Sequence, residues 1–152
     1  MELEQLANVG EFVGAIATLG TLIYIAVQIR QSSDLMKRQA FDAIATRFSS
    51  WGSKLREHPD TASLYIKGGE SFGDLTDSEK EQYNWMLFEY LVISETAIEH
   101  HKSASFKVDA VDAILRGIVR ELEKPGAWSW WNDRGRDYFS ADFAALVDEK
   151  LN

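Results

Sequence analysis

Phe12 to Ile29 reads FVGAIATLGTLIYIAVQI, eighteen residues without a charge between Glu11 and Arg30. At about 1.5 Å of rise per residue a helix over this run is ~27 Å long, close to the ~30 Å hydrocarbon core of a bilayer. Nine of its residues are Ile, Leu, Val or Phe, together worth roughly −3 to −5 kcal/mol of insertion free energy. Gly14, Gly20, Thr18, Thr21 and Gln28 offset part of that, so the run predicts a membrane anchor that inserts by a modest margin. A buried helix of a soluble bundle is the plain alternative. A cleaved signal peptide fits poorly, because the preceding MELEQLANVGE is acidic and no small-x-small site follows.

The flanking charges predict an orientation. Arg30, Lys37 and Arg38 follow the run and no Lys or Arg precedes it, so the C-terminal side is expected in the cytoplasm. Within the run the polar and small residues are ordered. Steps of four and three connect Gly10, Gly14, Ala17, Thr21, Tyr24, Gln28 and Gln31 along one helical stripe. Small residues let helix backbones approach, and hydroxyl or amide groups bond between helices where lipid offers nothing. The stripe is therefore read as a self-association face. Several copies meeting there would line an axis with Thr21, Tyr24 and Gln28, which leaves room for a narrow pore; packing on another part of the same chain is the other use of such a face.

The whole chain of 152 residues is long enough for one domain with a real core. Its net charge is −8, of which −6 falls in residues 31–152. An acidic domain repels phosphate backbones, so nucleic acid is not an expected partner. The absence of cysteine excludes disulfides and thiolate chemistry.

Helix is the only strong periodic signal. Phe41, Ile44, Phe48, Trp51 and Leu55 continue the spacing, and no proline intervenes before Pro59, so one helix is expected from about Leu3 to about Glu57. A short helix capped by Asp60 and ended by Gly68-Gly69 follows. Thr76-Asp-Ser-Glu79 has the form of a capping box opening a helix to about Lys102, whose WMLFEYLVI segment (Trp85–Ile93) is expected at the centre of the bundle. A helix over Asp109–Glu123, an aromatic helix over Ala127–Tyr138 and a last one over Ala141–Leu151 behind Ser140 complete an all-α reading: an anchor in residues 1–30 and a helical bundle in 31–152.

Asn8-Val9-Gly10-Glu11, the run Tyr24-Ile-Ala-Val-Gln28-Ile-Arg30-Gln31, and Trp130-Trp131 through Phe139-Ser140 to Phe143 together resemble a widespread family of small bacterial proteins of unknown function. The resemblance spans most of the chain. It implies a membrane-associated all-α protein and lends no activity. With the charge asymmetry it leads to the expectation of a single-pass protein of the bacterial inner membrane, its bundle cytoplasmic.

Three clusters are candidate sites. Glu95, Glu99, His100 and His101 carry metal-ligating side chains, but Ile98 stands where a Glu-x-x-His pair needs histidine, so no metal or other cofactor is expected. Trp128, Trp130 and Trp131 with Arg134, Arg136 and Tyr138 could stack a nucleotide-like ligand or rest on the headgroup layer. Alternatively the tryptophans pin the terminal helix while the arginines pair with Asp133, Asp137 and Asp142. Arg116, Arg120 and Lys124 follow at steps of four and suit an anion, or else form a solvated face paired with Glu121 and Glu123. No triad or phosphate-loop spacing is present, and no enzymatic role is expected. The expected function is a membrane-anchored homo-oligomeric scaffold or accessory protein, pore-like in one form, partnered by itself, the bilayer and another membrane protein. The alternative is a membrane-tethered effector whose bundle binds a small anion.

Overall fold

The computed structural model describes residues 2–102 and 108–151. Among them are six α-helices and no strand. They are α1 (Glu2–Glu57), α2 (Pro59–Glu70), α3 (Asp77–Lys102), α4 (Val108–Leu122), α5 (Pro125–Asp133) and α6 (Ala141–Leu151), with a 3₁₀ turn over Gly135–Tyr138 before α6. The chain is all-α, as its periodicity predicts. It divides into two compact units, residues up to Gln39 and residues from Ala40 onward. The division falls after Gln39, and among the described residues the first buried apolar side chain is Ile44.

The first unit is helix alone. Every residue from Glu11 to Arg30 is exposed, and an 18-residue window there has a mean hydropathy of 2.0 with none of it buried. By length and composition this helix can cross a membrane.

The second unit is a bundle built on α3. Tyr83, Leu87, Leu91 and Ala97 are fully enclosed. The last turns of α1 lie against them through Ile44, Phe48, Trp51 and Leu55, the residues whose spacing predicts it; Phe41 alone of that series is half exposed. The Trp51 indole donates to the Met86 carbonyl at 3.1 Å and its ring meets Tyr65 and Tyr90 at 5.5 and 5.0 Å. At the start of α3 the capping box forms: the Thr76 amide donates to Glu79 Oε2 at 2.7 Å, and the Glu79 amide donates to Thr76 Oγ1 at 3.3 Å. The centre of α3 differs from expectation at Trp85, which is 58% exposed.

Two expectations for α2 are corrected. Its N-cap is His58, extended and without a side-chain bond, with Pro59 in the first helical position; Asp60 sits in the first turn, where a carboxylate suits the helix dipole. Gly68 and Gly69 do not end the helix, which continues to Glu70. They are where α2 is approached: a Cβ on Gly68 would overlap the Tyr83 ring, and one on Gly126 would overlap the Gly68 carbonyl oxygen. Glycine at both positions lets α2 and α5 touch backbone to backbone.

The aromatic stretch is likewise two elements. The helix stops at Asp133, Arg134 takes φ −152° and ψ −28°, and the 3₁₀ turn follows. At α6 the expected cap is present: Ser140 Oγ accepts from the Phe143 amide at 3.3 Å. Glu95 of α3 reaches the same point, its Oε1 accepting from the Ser140 amide at 3.0 Å and hydroxyl at 2.6 Å.

Candidate functional site

The stripe of α1 contains small residues that nothing in the chain itself requires. A Cβ added at Gly10 or Gly14 meets no atom within 4 Å, although each glycine costs an exposed helix roughly 0.5–1 kcal/mol relative to alanine. The polar groups of the apolar run satisfy themselves locally. Thr18 Oγ1 donates to the Gly14 carbonyl at 2.8 Å and Thr21 Oγ1 to the Ala17 carbonyl at 2.9 Å, while Gln28 Nε2 donates to the Tyr24 hydroxyl at 2.6 Å. The Thr21 hydroxyl and one N–H of Gln28 are thus engaged within the helix. What the stripe offers a neighbour is close backbone approach at Gly10, Gly14 and Ala17.

The C-terminal cluster is mostly core. Trp130 and Trp131 are enclosed; the Trp130 indole donates to Asn84 Oδ1 at 2.8 Å and the Trp131 indole to Asp148 Oδ1 at 3.0 Å. Trp131 stacks on Phe139 at 5.8 Å, and Phe139 meets Phe143 at 5.4 Å. These faces are closed to a ligand, which corrects the stacking reading of Trp130 and Trp131: they fasten α5 and α6 to α3. Arg134 pairs with Asp133 at 3.2 Å and lies over the Phe72 ring at 5.7 Å. Arg136 pairs with Asp148 at 2.5 Å, in place of Asp137 or Asp142. Trp128 remains 43% exposed, beside a 180 Å³ hollow shared with Leu122, Pro125 and Leu151.

Glu95 is committed to the α6 cap, and the His101 side chain lies outside the described residues. Among the described residues no three potential metal ligands come together.

Lys124 leaves the basic face of α4. Its ammonium turns back onto Glu121 at 2.7 Å and over the Tyr65 ring at 4.8 Å. Below it the Tyr65 and Tyr83 hydroxyls are buried, with the Glu121 carboxylate the acceptor beside Tyr65. Burial, with the Glu121 carboxylate second, raises both phenols well above the ordinary tyrosine value and brings Tyr90 to about 12. All three stay neutral at physiological pH.

Arg116 and Arg120 remain on the outer face of α4, and there the structure adds a feature that the spacing of α4 alone does not show. Lys150 arrives from α6, and the three cations border an open groove of 690 Å³ floored by Leu115 and Val119. Asp112 and Glu123 stand at its edge. A second groove, of 430 Å³, runs between the end of α1 and α3, where Arg47 and Ser50 face Trp85, Phe88 and Val92.

Comparison with known proteins finds no matching family model, no matching curated protein and no matching solved structure.

Proposed function

We propose that this is a membrane-anchored helical protein that assembles with copies of itself along the Gly10–Gln31 stripe and presents its bundle to a partner in the cytoplasm. One observation carries the reading: the nine Ile, Leu, Val and Phe side chains of Phe12–Ile29 are each 45–67% exposed. A contiguous apolar surface of this kind is a liability in water and marks a membrane or protein contact. Lipid suits it, because the helix satisfies its own backbone and the Thr18 and Thr21 hydroxyls and one Gln28 N–H bond within it. Self-association accounts for the glycines that no intrachain contact explains. Arg30, Lys37 and Arg38 favour a cytoplasmic bundle. Native mass spectrometry of the full chain in a mild detergent tests the assembly. A defined oligomer that Gly14→Leu with Thr21→Leu dissociates is expected; a monomer throughout, or an oligomer indifferent to both changes, refutes it.

A membrane-tethered effector that binds a small anion is a second reading, favoured by the basic groove between α4 and α6.

A further inference from the structure

We infer that the groove between α4 and α6 is a binding site for a compact phosphate-bearing ligand, held by Arg116, Arg120 and Lys150. The inference deepens the effector reading and is independent of the membrane anchor, since every residue it uses lies beyond Ala40.

Three observations meet there. Arg116 and Arg120 are four residues apart on one helix, where like charges repel and cost stability, yet neither forms an ion pair among the described residues. Five other cations of the bundle have carboxylate partners, Lys54 on Glu89, Lys67 on Glu79, Lys124 on Glu121, Arg134 on Asp133 and Arg136 on Asp148, while Arg47, Arg56 and Lys80 likewise form no ion pair among the described residues. Asp112, four residues before Arg116, and Glu123, three after Arg120, border the same groove and offset part of that repulsion without closing on either guanidinium. Second, although both are exposed, their setting is not a flat surface. They border a concavity with an apolar floor, Leu115 buried and Val119 half-buried, and a low-dielectric wall strengthens a charge-assisted bond over its value on an open surface. Third, the fold brings a cation from a different element: Lys150, on the last turn of α6, has only its neighbour Glu149, at 3.5 Å, among the described residues.

The chemistry of the ligand follows from this set. Two guanidinium forks with Cβ atoms ~6 Å apart and one ammonium can each address an oxygen of a single tetrahedral oxyanion. Arginine forks match phosphate geometry, and lysine adds a point charge. Asp112 and Glu123 bound the groove, so a long polyanion would run its next charges onto carboxylates. A compact phosphomonoester or a single phospholipid headgroup brings the least charge beside those carboxylates. The apolar floor has room for the organic part.

Calorimetric titration of the full chain with glycerol phosphate tests this, in nanodiscs of phosphatidylcholine and of phosphatidylglycerol at low ionic strength. Saturable binding in phosphatidylcholine discs is expected, weakening as salt is raised. Arg116→Gln with Arg120→Gln should lower the affinity at least about tenfold, and Lys150→Gln, an exposed change at the end of α6, should lower it with unchanged thermal unfolding. Arg134→Gln should leave it unaltered. Binding that persists in phosphatidylglycerol discs assigns the groove to a free phosphoester; binding suppressed there assigns it to the lipid headgroup. No binding in phosphatidylcholine discs, or binding that survives both the double change and Lys150→Gln, overturns the site.

Discussion

The Trp130 indole donates to Asn84 Oδ1 at 2.8 Å inside the core, where Trp130 is wholly enclosed and Asn84 is 5% exposed. A single hydrogen bond thus ties α5 to the first turns of α3 and satisfies the two polar groups that this packing would otherwise strand. Asn84→Leu leaves the indole N–H without an acceptor and should cost about 1–3 kcal/mol. Trp130→Phe removes the donor and strands the Asn84 amide. The two changes share one bond, so their combined effect should fall short of their sum. Urea unfolding of the four proteins in one detergent measures the coupling.

The glycines divide into two classes with opposite expected behaviour. Gly68→Ala drives a methyl into the Tyr83 ring and should destabilise the bundle by about 1–3 kcal/mol through overpacking. Gly14→Ala meets nothing, and helix propensity alone favours it by up to about 1 kcal/mol. Its expected effect is on association instead: weaker self-assembly with unchanged unfolding of the bundle, read by size analysis and thermal unfolding together.

Glu79 makes part of the stability pH-dependent. The Lys67 ammonium first, then the Thr76 amide and hydroxyl, lower its carboxyl from the ordinary 4.5 to about 2. The folded state therefore holds this proton less tightly than the unfolded chain. The contribution is complete above about pH 4.5, declines as pH falls through that interval and is gone below about 2. Unfolding temperatures of the parent should drop toward those of Glu79→Gln between pH 4.5 and 2, and the gap between the two proteins should be constant above 5.

What could be read from the chain was local. The capping box at Thr76 and Glu79, the Ser140 cap and the extent of α1 all depend on neighbours within a few positions, and all are where their spacing places them. Spacing and structure part where a residue answers to something distant. Gly68 has the form of a helix stop, but its requirement comes from Tyr83 and Gly126, both far along the chain. Trp130 and Trp131 look like a ligand platform until Asn84 and Asp148 are seen to take their N–H groups. Arg116 and Arg120 were visible as a face, but the groove needs Lys150 beside them, and nothing in the spacing of α4 announces α6. Asp60 is a case of rivalry between signals: Pro59 at the first helical position prevails over a carboxylate one residue later.

The account turns on the exposed apolar surface of Phe12–Ile29 being covered by lipid. Membranes from cells making the full chain, washed with alkaline carbonate, test this most directly. The account predicts that the chain stays in the pellet and enters solution only with detergent. Recovery of the intact chain in the carbonate supernatant, as a monodisperse particle without detergent, would contradict it.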